Sequence, residues 1–257
     1  MKEGQKLWTR EELILAINLY CKTTFGRLHS TNPDVIHLAS LIGRTPNSVA
    51  FKLVNFASMD PSLQARGIKG AVNASRLDRE IWNEFYNNWD ERAYQSEQLL
   101  AEKENTTPEQ LNNIPEMELP REGKTREAMI KVRVNQSFFR QMILADYNST
   151  CCITGIRQPE LLVAGHIMPW SLDEKNRLNP QNGIALNALH DRAFETGLLT
   201  ITPELKIKIS PSLFRQKKTQ LLEDYFFRYD NQDIISPSKF LPDEEFLIYH
   251  NEVRFKK

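Results

Sequence analysis

Two histidines and an asparagine in the second half of the chain stand at intervals that can carry chemistry. His166 lies in GHIMPW, Asn182 follows 16 residues later in NPQNG, and His190 comes 8 residues after that in LHDRAFETG. An imidazole titrates close to neutrality, so either His can take a proton from water or bind a metal through a neutral ring nitrogen. A base that activates water and a cation that neutralises developing charge can together drive a hydrolysis. Alone, His166 is equally a His closing a strand, with Pro169 and Trp170 turning the chain behind it.

The elements around these residues give them an order. Turn-formers at Thr154–Gly155 and Gln158–Pro159 bracket short apolar segments, and ELLVAGHI reads as a strand ending at His166. A polar loop leads to turns at Asn179–Pro180 and Asn182–Gly183. A strand or turn follows, then a short helix around 185–196 that contains His190. LLTITPELKIKI (198–209) alternates as a hairpin around Pro203–Glu204. The helix NQSFFRQMILADYNSTC precedes all of this, with Phe138, Phe139, Met142, Ile143 and Ala145 on its buried face. The end of the chain packs through Phe246, Leu247 and Phe255.

In this order CITGI, PELLVAGHIMPW, RLNPQNGIALNALHDRAF and GLLTI resemble the HNH endonucleases of the ββα-metal superfamily, in particular a bacterial restriction and phage-defence branch. The resemblance spans roughly 130–209, with the chain's end also similar. It implies that His166 is the general base, an effect of about 10²–10⁴-fold in rate. It implies that His190 holds one divalent cation, Mg²⁺ or Mn²⁺, and that Asn182 fastens the loop and orients His166. The substrate implied is double-stranded DNA, cut to 5′-phosphate and 3′-hydroxyl ends. One position departs from the pattern: many members carry Asp directly before the first His, and here Gly165 stands there. Asp191 is the candidate replacement, with Asn187 and Glu195 as others, although neighbours on a helix point about 100° apart; the alternative for Asp191 is a cap or ion pair. Arg177 and Arg192 can reach phosphate oxygens or be surface charge.

Composition sets further bounds. Among 257 residues, 33 basic and 33 acidic side chains give zero formal charge, so DNA binding must come from local patches rather than a global field. No apolar run approaches the roughly 20 residues of a membrane span, and the polar opening MKEGQKLWTREE is unlike a signal peptide. Three cysteines, two of them vicinal, do not make a disulfide framework, and no paired CxxC indicates zinc. A cytoplasmic setting is expected.

Toward the N-terminus the chain reads as helical. Thr9 and Glu12 have capping-box spacing, Asn32–Pro33 and Thr45–Pro46 open two further helices, and a tight turn at Gly43–Thr45 joins them. That pattern matches a helix-turn-helix or Myb-like unit, whose 46–56 helix would read DNA with Asn47, Ser48, Lys52 and Asn55, and with Arg44 at its mouth. Alternatively the polar face is merely solvated. Residues 75–104 form a second helical stretch with a stripe of Leu77, Ile81, Phe85 and Trp89 for packing. A homodimer through it would bring two active sites to two strands. Residues 105–127 are polar, with three prolines, and read as a linker.

The expected fold class is α+β: an all-helical targeting domain over 1–104, the linker 105–127, and a ββα-metal HNH domain over 128–257. The competing reading is a sequence-specific DNA-binding regulator whose HNH-like scaffold is inactive.

Overall fold

Residues 6–68 and 74–257 are described by a computed structural model, and residues 1–5 of the polar opening lie outside them. Local signals account for most helix starts. Thr9 and Glu12 close a reciprocal capping box ahead of α1 (Arg10–Lys22). Asn32 and Thr45 cap α2 (Pro33–Leu41) and α3 (Pro46–Ala57), each with proline in the first turn, where its missing N–H leaves no bond unmade. After the short α4 (Pro61–Ala65), a second capping box between Ser75 and Asp78 opens α5 (Arg76–Asn87). The stretch 75–104 is two helices. Asn88 leaves the helical region at φ −153°, and its side chain accepts from the Glu91 N–H to start α6 (Trp89–Lys103).

The chain divides into two compact units, Met1–Phe138 and Phe139–Lys257. In the first, α1, α3, α5 and α6 enclose Leu13, Ile17, Tyr20, Leu53, Phe56 and Phe85, all at most 1% exposed. Trp82 joins them, stacked on Phe56 with ring centroids 6.3 Å apart. Ile81, Phe85 and Trp89 are likewise buried within this unit, so the apolar stripe serves its own core rather than a second chain. Residues 105–127, expected as a linker, are folded. They hold α7 (Pro108–Leu111), a 3₁₀ turn at Glu116–Glu118, and the start of α8 (Lys124–Asp146). The Asn112 side chain donates to Glu97 at 2.9 Å, which ties this segment to α6. The division between units falls inside α8.

Of the residues expected to read DNA, three are engaged inside the fold. Lys52 Nζ sits 2.9 Å from both carboxylate oxygens of Asp78, and the pair is almost fully buried. Asn55, 1% exposed, leans on the same carboxylate. Arg44 pairs with Glu12 at 2.7 Å, donates to the Leu7 carbonyl and lies 4.2 Å from the Trp8 ring. Burial would raise the Glu12 carboxyl, but Arg44, the Thr9 N–H and Lys6 outweigh it and bring it down to about 2. At the first turn of α3, Asn47 is exposed and Ser48 half-buried. Periodicity placed Lys52 and Asn55 on a polar face; α5, returning from 26 residues downstream with Asp78, covers that face.

The second unit is α+β. The last part of α8 buries Phe139, Met142 and Ile143, with Ala145 half-buried. β1 (Leu162–His166) and β2 (Gly183–Asn187) pair antiparallel, and α9 (Ala188–Glu195) follows at once. β3 (Leu199–Ile201) and β4 (Ile207–Ile209) form the expected hairpin. Short helices α10 (Pro211–Phe214), α11 (Gln220–Tyr225) and α12 (Glu244–Tyr249) complete the unit, and α12 runs into a π-helical turn over His250–Arg254. Among the described residues no helix is long and apolar enough to cross a membrane.

Removing one partner of a buried ion pair leaves the other charge without compensation, at a cost of about 3–5 kcal/mol. Urea unfolding of Lys52→Met is therefore expected to show a loss of that order. A lysine facing solvent for DNA would leave stability within about 0.5 kcal/mol of the parent.

Candidate active site

β1 places His166 opposite Gly183 at the open end of the hairpin, and Gly165 opposite Ile184. Residues 167–182 loop between the strands, and Asn182 closes that loop. Its buried side chain accepts from the Met168 N–H at 2.7 Å and donates to the carbonyls of Met168 and Asn176 at 3.2 and 3.1 Å. The loop in turn offers the Arg177 carbonyl to His166 Nε2 at 2.8 Å. A carbonyl only accepts, so Nε2 carries the proton and Nδ1 keeps its lone pair. The ring stacks on Phe139 at 4.1 Å and meets Trp170 edge-on at 5.3 Å. Burial lowers the His166 pKa below the usual imidazole value, with the Arg177 carbonyl opposing. His166 is thus an oriented, neutral proton acceptor at physiological pH.

Asn187 ends β2 and caps α9, its Oδ1 accepting from the His190 N–H at 3.0 Å. Strand, loop, strand and helix make one ββα unit. Residues 151–202 match a family model described as HNH endonuclease. This segment is an HNH endonuclease domain. The chain matches no curated protein. The domain associates the chain with nucleases of the HNH superfamily, and the rest of the second unit extends it.

The second unit opens a cleft of about 440 Å³ whose lining includes Gly165, His166, Asp191, Glu195, His250 and Arg254. Asp191 and Glu195 are four residues apart on α9 and so share one face. A Cβ built on Gly165 would lie 2.7 Å from Asp191 Oδ1, closer than such atoms ever come. The helix carboxylate therefore occupies the space beside the first His that a side chain at 165 would need. Burial and the charge of Glu195 raise the Asp191 carboxyl above its ordinary value, with Arg192 opposing.

His190, expected as the metal ligand, points elsewhere. It is 1% exposed, with Nε2 on the Tyr225 carbonyl at 2.5 Å and Nδ1 against the Asn187 carboxamide at 3.0 Å. Phe226 and Tyr229 face its ring edge-on. Beside it is Cys151, whose sulfur accepts from the Asn187 N–H at 3.3 Å. Burial would raise that thiol, but the nearby His190 and Thr154 outweigh it and bring it to about 7. Both imidazole nitrogens are engaged, so neither offers a lone pair to a cation. Adjacency on α9 explains the outcome: the helix face that carries Asp191 into the cleft turns His190 into the core.

The other expected site residues are placed as follows. Arg177 acts through its backbone on His166, while its guanidinium braces the loop on the Trp170 carbonyl at 2.7 Å and pairs with Glu174. Arg192 is solvent-exposed and paired with Glu195. Arg44, Asn47, Ser48, Lys52 and Asn55, expected to read DNA, belong to the first unit. Sequence reading missed Phe139 and Trp170 as supports for His166. It also missed His250, whose ring stacks on Phe194 at 3.7 Å and bonds Thr200 at 2.7 Å. Burial above all drives the His250 pKa down to about 4.

No three His, Cys, Asp or Glu side chains among the described residues converge to enclose a metal. Two carboxylates on one wall suit a hard cation that keeps several waters, the habit of Mg²⁺, more than a fully protein-ligated ion.

The atom nearest a Cβ at 165 is the end of a flexible side chain, so Gly165→Ala should fold with little loss of stability while displacing the Asp191 carboxylate. Isothermal titration with Mn²⁺ is expected to show binding at least about tenfold weaker in this variant, the scale of effect seen when supports of metal ligands are altered. Unchanged Mn²⁺ affinity would contradict the assignment.

Proposed function

We propose that this chain is a metal-dependent endonuclease that hydrolyses phosphodiester bonds in double-stranded DNA, with a role in restriction or phage defence. The observation that carries the reading is His166 in an HNH domain, with Nδ1 free to accept a proton and a carboxylate beside it. The defence role rests on the resemblance alone.

In this reading His166 Nδ1 takes the proton from the attacking water. The Arg177 carbonyl holds the tautomer and steadies the imidazolium that forms. Phe139, Trp170 and the Asn182-locked loop keep the ring in place, so little reorganisation is needed at the moment of reaction. Asp191 and Glu195 are the groups that would hold the cation. When bound, Mg²⁺ or Mn²⁺ would neutralise charge on the phosphoryl group and the departing oxygen. His190 is a positioning residue that fixes the rotation of α9. The regulator alternative loses support because Arg44, Lys52 and Asn55 are engaged within their own unit.

Incubation of supercoiled plasmid with purified protein and Mg²⁺ or Mn²⁺ tests the proposal. The parent should nick or linearise it, and His166→Ala should slow cleavage by about 10²–10⁴-fold. Because catalysis needs the neutral ring and burial favours that form, the His166-dependent acid limb should have its midpoint below 6.5. Plasmid left intact by the parent with both metals, on unmodified and phage-modified DNA, would overturn the reading.

A further inference from the structure

The C-terminal π-helical turn, well beyond the family match at 151–202, lies against the nuclease cleft. Its seat is built in detail. His250 bonds Thr200 and the Phe194 carbonyl, and the Asn251 side chain donates to the Ile201 carbonyl at 2.7 Å. Lys256 N–H donates to the Gly197 carbonyl at 2.9 Å, and Ser210 Oγ donates to the Lys256 carbonyl at 2.6 Å. A Cβ on Gly197 would lie 2.0 Å from the Arg254 carbonyl oxygen, so the strap rests directly on backbone just past the end of α9. Between these anchors Arg254 alone stays exposed toward the cleft, next to the buried Phe255.

Arg254 is also the only Lys or Arg among the described residues that line the cleft, which carries the carboxylates of Asp191 and Glu195. One guanidinium nitrogen, Nη2, donates to the Glu195 carbonyl at 2.7 Å, at the negative end of α9. That bond aims the planar fork while engaging few of its five N–H donors. A phosphodiester entering a cleft with two carboxylates needs a compensating fixed positive charge, and a guanidinium meets two phosphate oxygens at once.

We propose that Arg254 is the phosphate-binding residue of the cleft and that the C-terminal strap exists to deliver it. The proposal rests on the nuclease reading and extends it to a residue outside the HNH segment. Arg254 binds the DNA backbone directly; the strap residues position it.

The test uses the full chain carrying His166→Ala, which retains the cleft but not the base, with a fluorescein-labelled DNA duplex and Mg²⁺. Binding is followed by anisotropy across a salt series. Adding Arg254→Gln should weaken binding about tenfold at low salt and reduce the slope of log K against log salt by about 0.9, one phosphate contact. Arg254→Lys should restore the slope and recover only part of the affinity, since it keeps the charge but not the fork. A merely structural role would lower the melting temperature and leave the slope alone. A slope in Arg254→Gln equal to that of the His166→Ala parent overturns this proposal only. Failure of that parent to bind any duplex overturns the nuclease reading as well.

Discussion

The approach of Asp191 Oδ1 to Gly165 is the contact on which the cleft depends. Nothing larger than hydrogen at 165 permits it, since the carboxylate oxygen lies 2.7 Å from where a Cβ would stand. The contact needs β1 in register with β2, α9 beginning without a loop, and α9 rotated so that residue 191 rather than 190 faces the strand. Each condition has a visible cause. Asn187 both ends β2 and caps α9, which sets the helix phase in its first turn. Ala193 is buried on the far side of α9, Phe194 is buried in the cleft wall, and His190 is locked by Tyr225 and Asn187. The resulting pair of carboxylates is electrostatically unfavourable by itself: the Asp191 carboxyl is raised by burial and by Glu195. A divalent cation held by these carboxylates would reverse that penalty.

His166 depends on the same frame from the other side. Its useful nitrogen is selected by the Arg177 carbonyl, which is in place because Asn182 holds both ends of the intervening loop. Stacking on Phe139 restricts the ring further. His166 and Asp191 are therefore set by separate hydrogen-bonded supports that share only the ββα backbone. Preorganisation of this kind is where a hydrolytic site gains most, because the supports are already made before substrate arrives.

Much of this was legible in the sequence where the determining interactions are local. The capping residues Thr9, Asn32 and Thr45, the strand ending at His166 and the hairpin over 198–209 all follow from contacts a few residues apart. The fastening of the loop by Asn182 was likewise readable, because its partners lie within the loop it closes. What was not legible turns on distant chain. The lock on His190 is completed by the Tyr225 carbonyl, and its cap Asn187 rests in turn on Cys151, both more than thirty residues from His190. Lys52 looked solvent-facing until Asp78 came back over it, and Arg254 reaches the cleft only through the π-helical turn. A period of 3.6 residues gives a face for a helix but not the neighbour that covers it.

In the proposed reading α9 presents Asp191, and not His190, to a divalent cation in the cleft. Crystals grown with Mn²⁺ and measured for anomalous scattering test this directly. The account predicts a single strong peak against the carboxylates of Asp191 and Glu195, with His190 still bonded to the Tyr225 carbonyl. A peak on His190 Nε2, with that carbonyl displaced, would contradict it.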